Sequence, residues 1–150
     1  MDIQQVKEEL TACFQKAIFS NYDDNWGNHP LRIVQATKSL IGINISSPNT
    51  KGLRDFHDQE KLKNLLFTLN KIKEDKKTNI PLLLKISPDI KDSYISEIVK
   101  VSVQNNIAAI ILTNTTEGNR GSLSSKMNKE EGGLSGEPLQ KISTNMIKKF

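Results

Sequence analysis

Three times along this chain an apolar run gives way to a polar loop and then to a segment of helical spacing, and that repeat limits the fold more than any other feature. In the first unit Ile41, Ile43 and Ile45 alternate with small or polar residues as in a half-buried strand over 41–45. Leu62, Leu65, Leu66, Leu69 and Ile72 then fall three and four apart, which predicts a helix near 58–75 with Asp58 as its N-cap. The second unit has a nearly continuous apolar strand at 81–86, the loop KISPDIKDS, and a helix near 93–104 with Ile95, Ile98, Val99 and Val103 on one side. Such an uninterrupted strand suits a parallel sheet covered on both faces. A third strand, 107–112, leads through a long connection to a helix near 138–149. Alternating strands and helices predict an α/β chain of right-handed parallel βα units.

The polar loops lie where such a fold does its chemistry. Ser46, Ser47, Pro48, Asn49 and Thr50 follow the first strand, Ser87 and Asp89 the second, and Thr113, Asn114, Thr115 and Thr116 the third. Pro48 lacks a ladder donor, so the first strand ends before it. In a parallel sheet or barrel all three loops converge on the rim at the C-terminal ends of the strands, where β/α folds build their sites. The competing reading of each cluster is ordinary turn chemistry. Lys85, inside LLLKIS near the end of a strand expected to be buried, calls for an anionic partner, with snorkelling to the sheet edge as the alternative. Residues 117–136 hold five glycines and are too polar to pack. Their end, Gly132-Gly133-Leu134-Ser135-Gly136, precedes a helix, where backbone amides can meet an anion; a flexible linker has the same composition.

Composition excludes several classes of function. The chain has 150 residues, 36% of them hydrophobic and 5% aromatic, enough for one domain with a lean core. Its net charge of +4 comes from lysines spread without aromatic interleaving, which argues for solvated helix faces and against a nucleic-acid groove. Cys13 is the single cysteine, and His29 and His57 stand apart, so neither a disulfide framework nor a metal cluster is expected. No apolar run reaches the roughly 18 residues of a membrane span. Residues 1–19 can form a packing helix with Val6, Leu10, Cys13 and Ala17 along one side, and Trp26 is expected to pack locally in a turn-rich stretch.

Four ordered motifs, at 44–55, 85–89, 113–116 and 132–139, together resemble the dihydroorotate dehydrogenases, and specifically the class 2, quinone-linked branch. Class 1 members carry cysteine where this chain has Ser47, whereas the SSPNT form resembles class 2. Lys51 stands where proline is common in the family and Ser87 where alanine is common. The resemblance implies an FMN-binding (β/α)8 TIM barrel that oxidises dihydroorotate to orotate in pyrimidine biosynthesis and passes electrons to quinone. It implies that Ser47 is the catalytic base, that Asn44, Lys85, Thr113 and Gly136 contact FMN, and that Asn44, Asn49, Asn114 and Thr115 hold the substrate. No metal enters this scheme.

The same resemblance implies an incomplete barrel. A (β/α)8 domain takes roughly 250 residues, and this chain holds about three of the eight units, leaving two open sheet edges. Residues 1–40 carry no motif of the family and form a partly helical N-terminal segment; residues 41–150 form the partial barrel. The glycine-rich segments that hold the FMN phosphate, and the amphipathic region through which class 2 enzymes approach membrane quinone, are not matched. A truncated enzyme chain, peripheral to the cytoplasmic membrane when part of a complete enzyme and cytoplasmic otherwise, is therefore expected. The alternative is a noncatalytic remnant or binding module of the same fold.

Overall fold

The computed structural model describes residues 34–36, 40–47, 52–125 and 128–150. The expected helix at 1–19, and Trp26, lie outside them. Four strands form one sheet in the order β1 (Val34–Ala36), β2 (Ile41–Asn44), β3 (Leu82–Ile86), β4 (Ala109–Leu112). β2, β3 and β4 run parallel, with Ile41 opposite Leu82 and Leu83 opposite Ala109. β1 runs antiparallel to β2, with Val34 opposite Ile43. β1 lies on the outer side of β2, so among the described residues the sheet is open at two edges as expected, and the edge strands are β1 and β4. Among the described residues no strand lies beyond β4.

One face of the sheet makes the core. Ile41, Ile43, Leu82, Leu84 and Ile86 pack with Leu62, Leu65, Leu66, Leu69 and Ile72 of α1 (Gln59–Asp75) and with Ile98 and Val101 of α2 (Ile95–Gln104). Full burial of each such side chain contributes about 1.5–3 kcal/mol, so the helices can be docked on this face only. β3 is not covered on both faces as its nearly continuous apolar sequence suggested. Leu82, Leu84 and Ile86 are buried, whereas Leu83 and Lys85 alternate with them on a half-open face. A strand covered by helices on one side and open on the other shows period two in burial even where its sequence does not.

The helix boundaries follow local chemistry. Asp58 caps α1, its Oδ1 accepting from the amides of Glu60 at 3.1 Å and Lys61 at 3.2 Å. α2 begins at Ile95 after a 3-10 turn at Asp92–Tyr94, two residues later than the spacing predicted. Its buried side is Ile95, Ile98, Val101 and Ser102, while Val103 is 71% exposed and Val99 only half-buried. The choice between the two stripes is made by α1, against which α2 packs. β4 starts at Ala109 instead of residue 107, after Ile107 has turned its amide to Ser102 O and packed against the core.

The 117–136 connection, read as too polar to pack, is folded back on the rim. It forms a 3-10 turn at Arg120–Ser122, and Arg120 donates to Gly132 O. Thr116 and Leu134 exchange backbone hydrogen bonds of 3.1 and 2.7 Å in an antiparallel bridge. Helix α3 (Glu137–Lys149) follows, with Pro138 in its first turn, where no backbone donor is needed. Met146 is buried, Ser143 Oγ donates to Leu112 O at 3.5 Å, and Lys149 Nζ reaches Asp92 at 2.7 Å.

Candidate functional site

The C-terminal ends of β2, β3 and β4 form the rim on which the polar loops meet. Asn44, the last residue of β2, is the register partner of Lys85, which in turn faces Ile111 of β4. All three project from the face opposite the helices. Adjacent strands lie about 4.8 Å apart, so a cation, an amide and an apolar side chain line up across this half-open surface. Ile111 is 36% exposed there. Lys85 forms no ion pair among the described residues, so the anionic partner that burial required is not present and the requirement itself lapses on an open face.

β2 ends one residue earlier than the alternation of isoleucines indicated, and Asn44 is the reason. Its Oδ1 accepts from the amide of Ser46 at 3.3 Å and from Ser46 Oγ at 2.8 Å, drawing the chain out of the ladder. Ser46 is fully buried and its oxygen also accepts from Asn114 Nδ2 at 3.0 Å. Asn114 accepts from the Thr115 amide through Oδ1 at 2.8 Å and donates its own backbone N–H to Ile86 O at 2.9 Å. One chain of bonds therefore ties the ends of all three parallel strands. Among the described residues both amide N–H donors of Asn44 are unused, and Asn114 keeps one donor and one lone pair.

The remaining residues singled out by the sequence take distinct places. Ser47 follows the buried Ser46 and is itself half-exposed at the end of β2. Thr113 Oγ1 donates to Asn114 O at 2.9 Å. Thr115 is pressed by the glycine segment, since a Cβ on Gly133 would fall 1.9 Å from Thr115 Oγ1. Gly136, exposed and at φ +74°, directly precedes α3, and its carbonyl accepts from the Leu139 amide at 3.0 Å. The Thr116–Leu134 bridge brings this segment to the loop after β4. Asn49 lies outside the described residues.

The sequence names Ser46, Thr116 and Gly133 only as members of polar or glycine-rich loops, with no role of their own, and does not single out Arg54. Ser46 has the same side chain as its neighbour, and only burial separates the two. Arg54 stands in the 3-10 turn Leu53–His57, whose entry at Gly52 requires φ +78°. Its carbonyl accepts from His57 Nδ1 at 2.8 Å, and His57 is buried. Burial pushes the His57 pKa down, the hydrogen bond to the Arg54 carbonyl opposes this, and the Arg54 charge adds to the lowering.

A groove of about 590 Å³ lies at the far end of α1 and α2, lined by Phe67, Asn70, Lys77 and Gln104. None of the rim residues lines it. Among the described residues no group of histidine, cysteine and carboxylate side chains could hold a metal, and no helix is long and apolar enough to cross a membrane.

The family model for dihydroorotate dehydrogenase matches residues 4–150, including most of the N-terminal segment that the quoted motifs do not reach. A dihydroorotate dehydrogenase (quinone) of Christiangramia forsetii is 48% identical over 106 residues, which cover 71% of this chain and 31% of the relative. One from Wigglesworthia glossinidia brevipalpis is 37% identical over 152 residues, covering 99% of this chain and 40% of the relative. The crystal structure of Eimeria tenella DHODH in complex with ferulenol superposes with a TM-score of 0.68 at 32% identity, over 72% of this chain and 33% of that one. The ligand-free type from the same organism gives 0.67 at 25% identity, over 95% and 49%. The chain thus spans between about a third and two fifths of the curated relatives it matches. With a match over nearly its whole length and parallel βα units arranged as in those enzymes, the chain belongs to the dihydroorotate dehydrogenase family.

Proposed function

We propose that this segment carries the proton-accepting and pyrimidine-holding side of a quinone-linked dihydroorotate dehydrogenase. Dihydroorotate is the substrate, orotate the product, and the electrons go on to a quinone at the membrane surface. The observation that carries this reading is the pairing of Asn44 with Lys85 on the half-open face of the sheet, with Ser47 just beyond the end of the same strand. Residues 41–150 supply the βα units in this scheme, and residues 1–40 precede them.

The donor set suits a flavin mononucleotide. Lys85 brings a positive charge unmatched by an ion pair among the described residues, Asn44 brings two N–H donors, and Ile111 offers an apolar surface on the same face. These residues, with Thr113 and the backbone at Gly136, would hold it. When bound, FMN supplies the acceptor for the hydride that leaves C6 of dihydroorotate. Ser47 takes the proton from C5 while its own hydroxyl proton passes on to a relay. A serine hydroxyl is a weak base in water, so its half-enclosed position beside the buried Ser46 has to be sealed further by substrate. Asn44, Asn49, Asn114 and Thr115 orient the pyrimidine, for which carboxamides offer both donors and acceptors. Lys85 favours the negative charge that accompanies reduction.

Ser47→Ala in protein containing this segment and the rest of the barrel tests the proposal by stopped-flow absorbance. The variant should bind FMN normally while dihydroorotate reduces it at least about a hundredfold more slowly. An unchanged reduction rate would remove Ser47 from the chemistry. Absence of flavin reduction in the unsubstituted protein would leave the segment as a binding module of the same fold.

A further inference from the structure

Beyond the site face, the loops after β2, β3 and β4 share one charged network. Arg54, after β2, donates from Nη2 to Asp89 Oδ2 at 3.3 Å and from Nη1 to Glu117 Oε2 at 2.5 Å. Asp89, after β3, accepts from Thr116 Oγ1 through Oδ1 and from the Glu117 amide through Oδ2 at 3.0 Å. Its own amide is held by Ser87 Oγ at 3.2 Å. Thr116 Oγ1 also accepts from the Gly118 amide at 3.0 Å, and Thr116 is 1% exposed. The Arg54 and Asp89 side chains are 29% and 26% exposed, so their attraction is only partly screened.

This arrangement needs a carboxylate at position 89. Three donors from two other loops arrive at its two oxygens, and a carboxamide offers only one oxygen acceptor. The residues so held flank those of the rim: Thr116 directly follows Asn114 and Thr115, and Arg54 follows the segment that begins at Ser47. We infer that Asp89 is a positioning residue, which fixes the 114–116 loop against the loop after β2 without itself touching substrate. The inference rests on the proposed function, because Asn114, Thr115 and Ser47 are the groups assigned there to the pyrimidine. A planar, anionic pyrimidine carboxylate rewards such fixing, since its donors and acceptors are met from several loops at once.

Asp89→Asn and Asp89→Ala in the full chain separate this role from general stability. Residue-resolved hydrogen exchange should show the Thr115 and Glu117 amides exchanging about tenfold faster in the alanine variant, with less effect in the asparagine variant, while the amides of α1 keep their rates. Acceleration spread evenly over α1 and α2 would make Asp89 a stabilising residue only and overturn the inference. Orotate titrated into the same proteins should bind about tenfold more weakly to the alanine variant, and an unchanged affinity would also overturn it. Failure of the unsubstituted chain to bind orotate would count against the proposed function, and the exchange pattern would still decide whether Asp89 sets the loop.

Discussion

Asn114 Nδ2 donates to Ser46 Oγ at 3.0 Å, joining the ends of β2 and β4 across the top of β3. The two strands share no ladder bonds, so their relative placement at the rim is set by this contact, by the Asn114 amide held by Ile86 O and, further out, by Arg54 bridging Asp89 and Glu117. Ser46 is fully buried and serves Asn44 as well. Ser46→Ala would leave polar atoms of both asparagines without their partner. The expected cost is about 1–3 kcal/mol, read from urea unfolding, and ligand affinity should fall with it. A loss below about 0.5 kcal/mol would mean that the rim is held by other bonds.

Lys85 lies opposite Asn44 and has no ion pair among the described residues. In a flavin-loaded enzyme containing this segment, Lys85→Ala should lower the flavin midpoint potential, because a positive charge nearby favours the reduced, more negative ring. A differential stabilisation on the order of 1–2 kcal/mol is expected at an effective dielectric near that of a protein surface. Spectroelectrochemical titration of the two proteins gives the comparison, and equal potentials would return Lys85 to a purely structural role.

His57 is buried with its pKa lowered, chiefly by desolvation. The folded chain therefore holds the proton less tightly than the unfolded chain, whose histidine titrates near 6.5. Stability is greatest above that pH and falls as pH drops through 6.5 toward the lower folded value, below which the loss levels off. The slope in this window is at most about 1.4 kcal/mol per pH unit for one proton. Urea midpoints measured from pH 7.5 to 5 on the chain and on His57→Gln should differ in that slope, and parallel curves would contradict the assignment.

Gly133 presses its backbone on Thr115, and an added Cβ would meet Thr115 Cβ at 2.5 Å. The atom struck sits next to the backbone, so rotation of the threonine side chain cannot relieve the clash. Gly133→Ala should destabilise by about 1–3 kcal/mol or free the 132–136 segment from Thr116, seen as faster exchange of the Leu134 amide. Pairing it with Thr115→Gly should restore much of the loss.

Much of this architecture is legible in the sequence because local rules and tertiary packing agree. Asp58 caps α1, and Leu62 through Ile72 face the core, as the three- and four-residue spacing requires. The parallel order of β2, β3 and β4 follows from the helices between them. Where the reading failed, two arrangements were open locally and a neighbour chose between them. Val101 is buried in place of Val103 because α1 decides which stripe of α2 it meets. Leu83 and Lys85 sit on a half-open face although 81–86 reads as a nearly continuous apolar run. Of the rim, Ser47, Asn114 and Thr115 were readable as a polar cluster after a strand. Ser46 as hub, and Arg54 and Asp89 as partners, depend on contacts between loops 35 to 68 residues apart, which no local pattern encodes.

β1 has a further meaning for assembly. A closed parallel barrel needs a parallel neighbour on the outer side of β2, yet those same amides and carbonyls are engaged by β1 in the antiparallel sense. The two partners are mutually exclusive. Closing the ring would therefore be an exchange reaction at β2, in which β1 gives up its place, but a simple addition at β4.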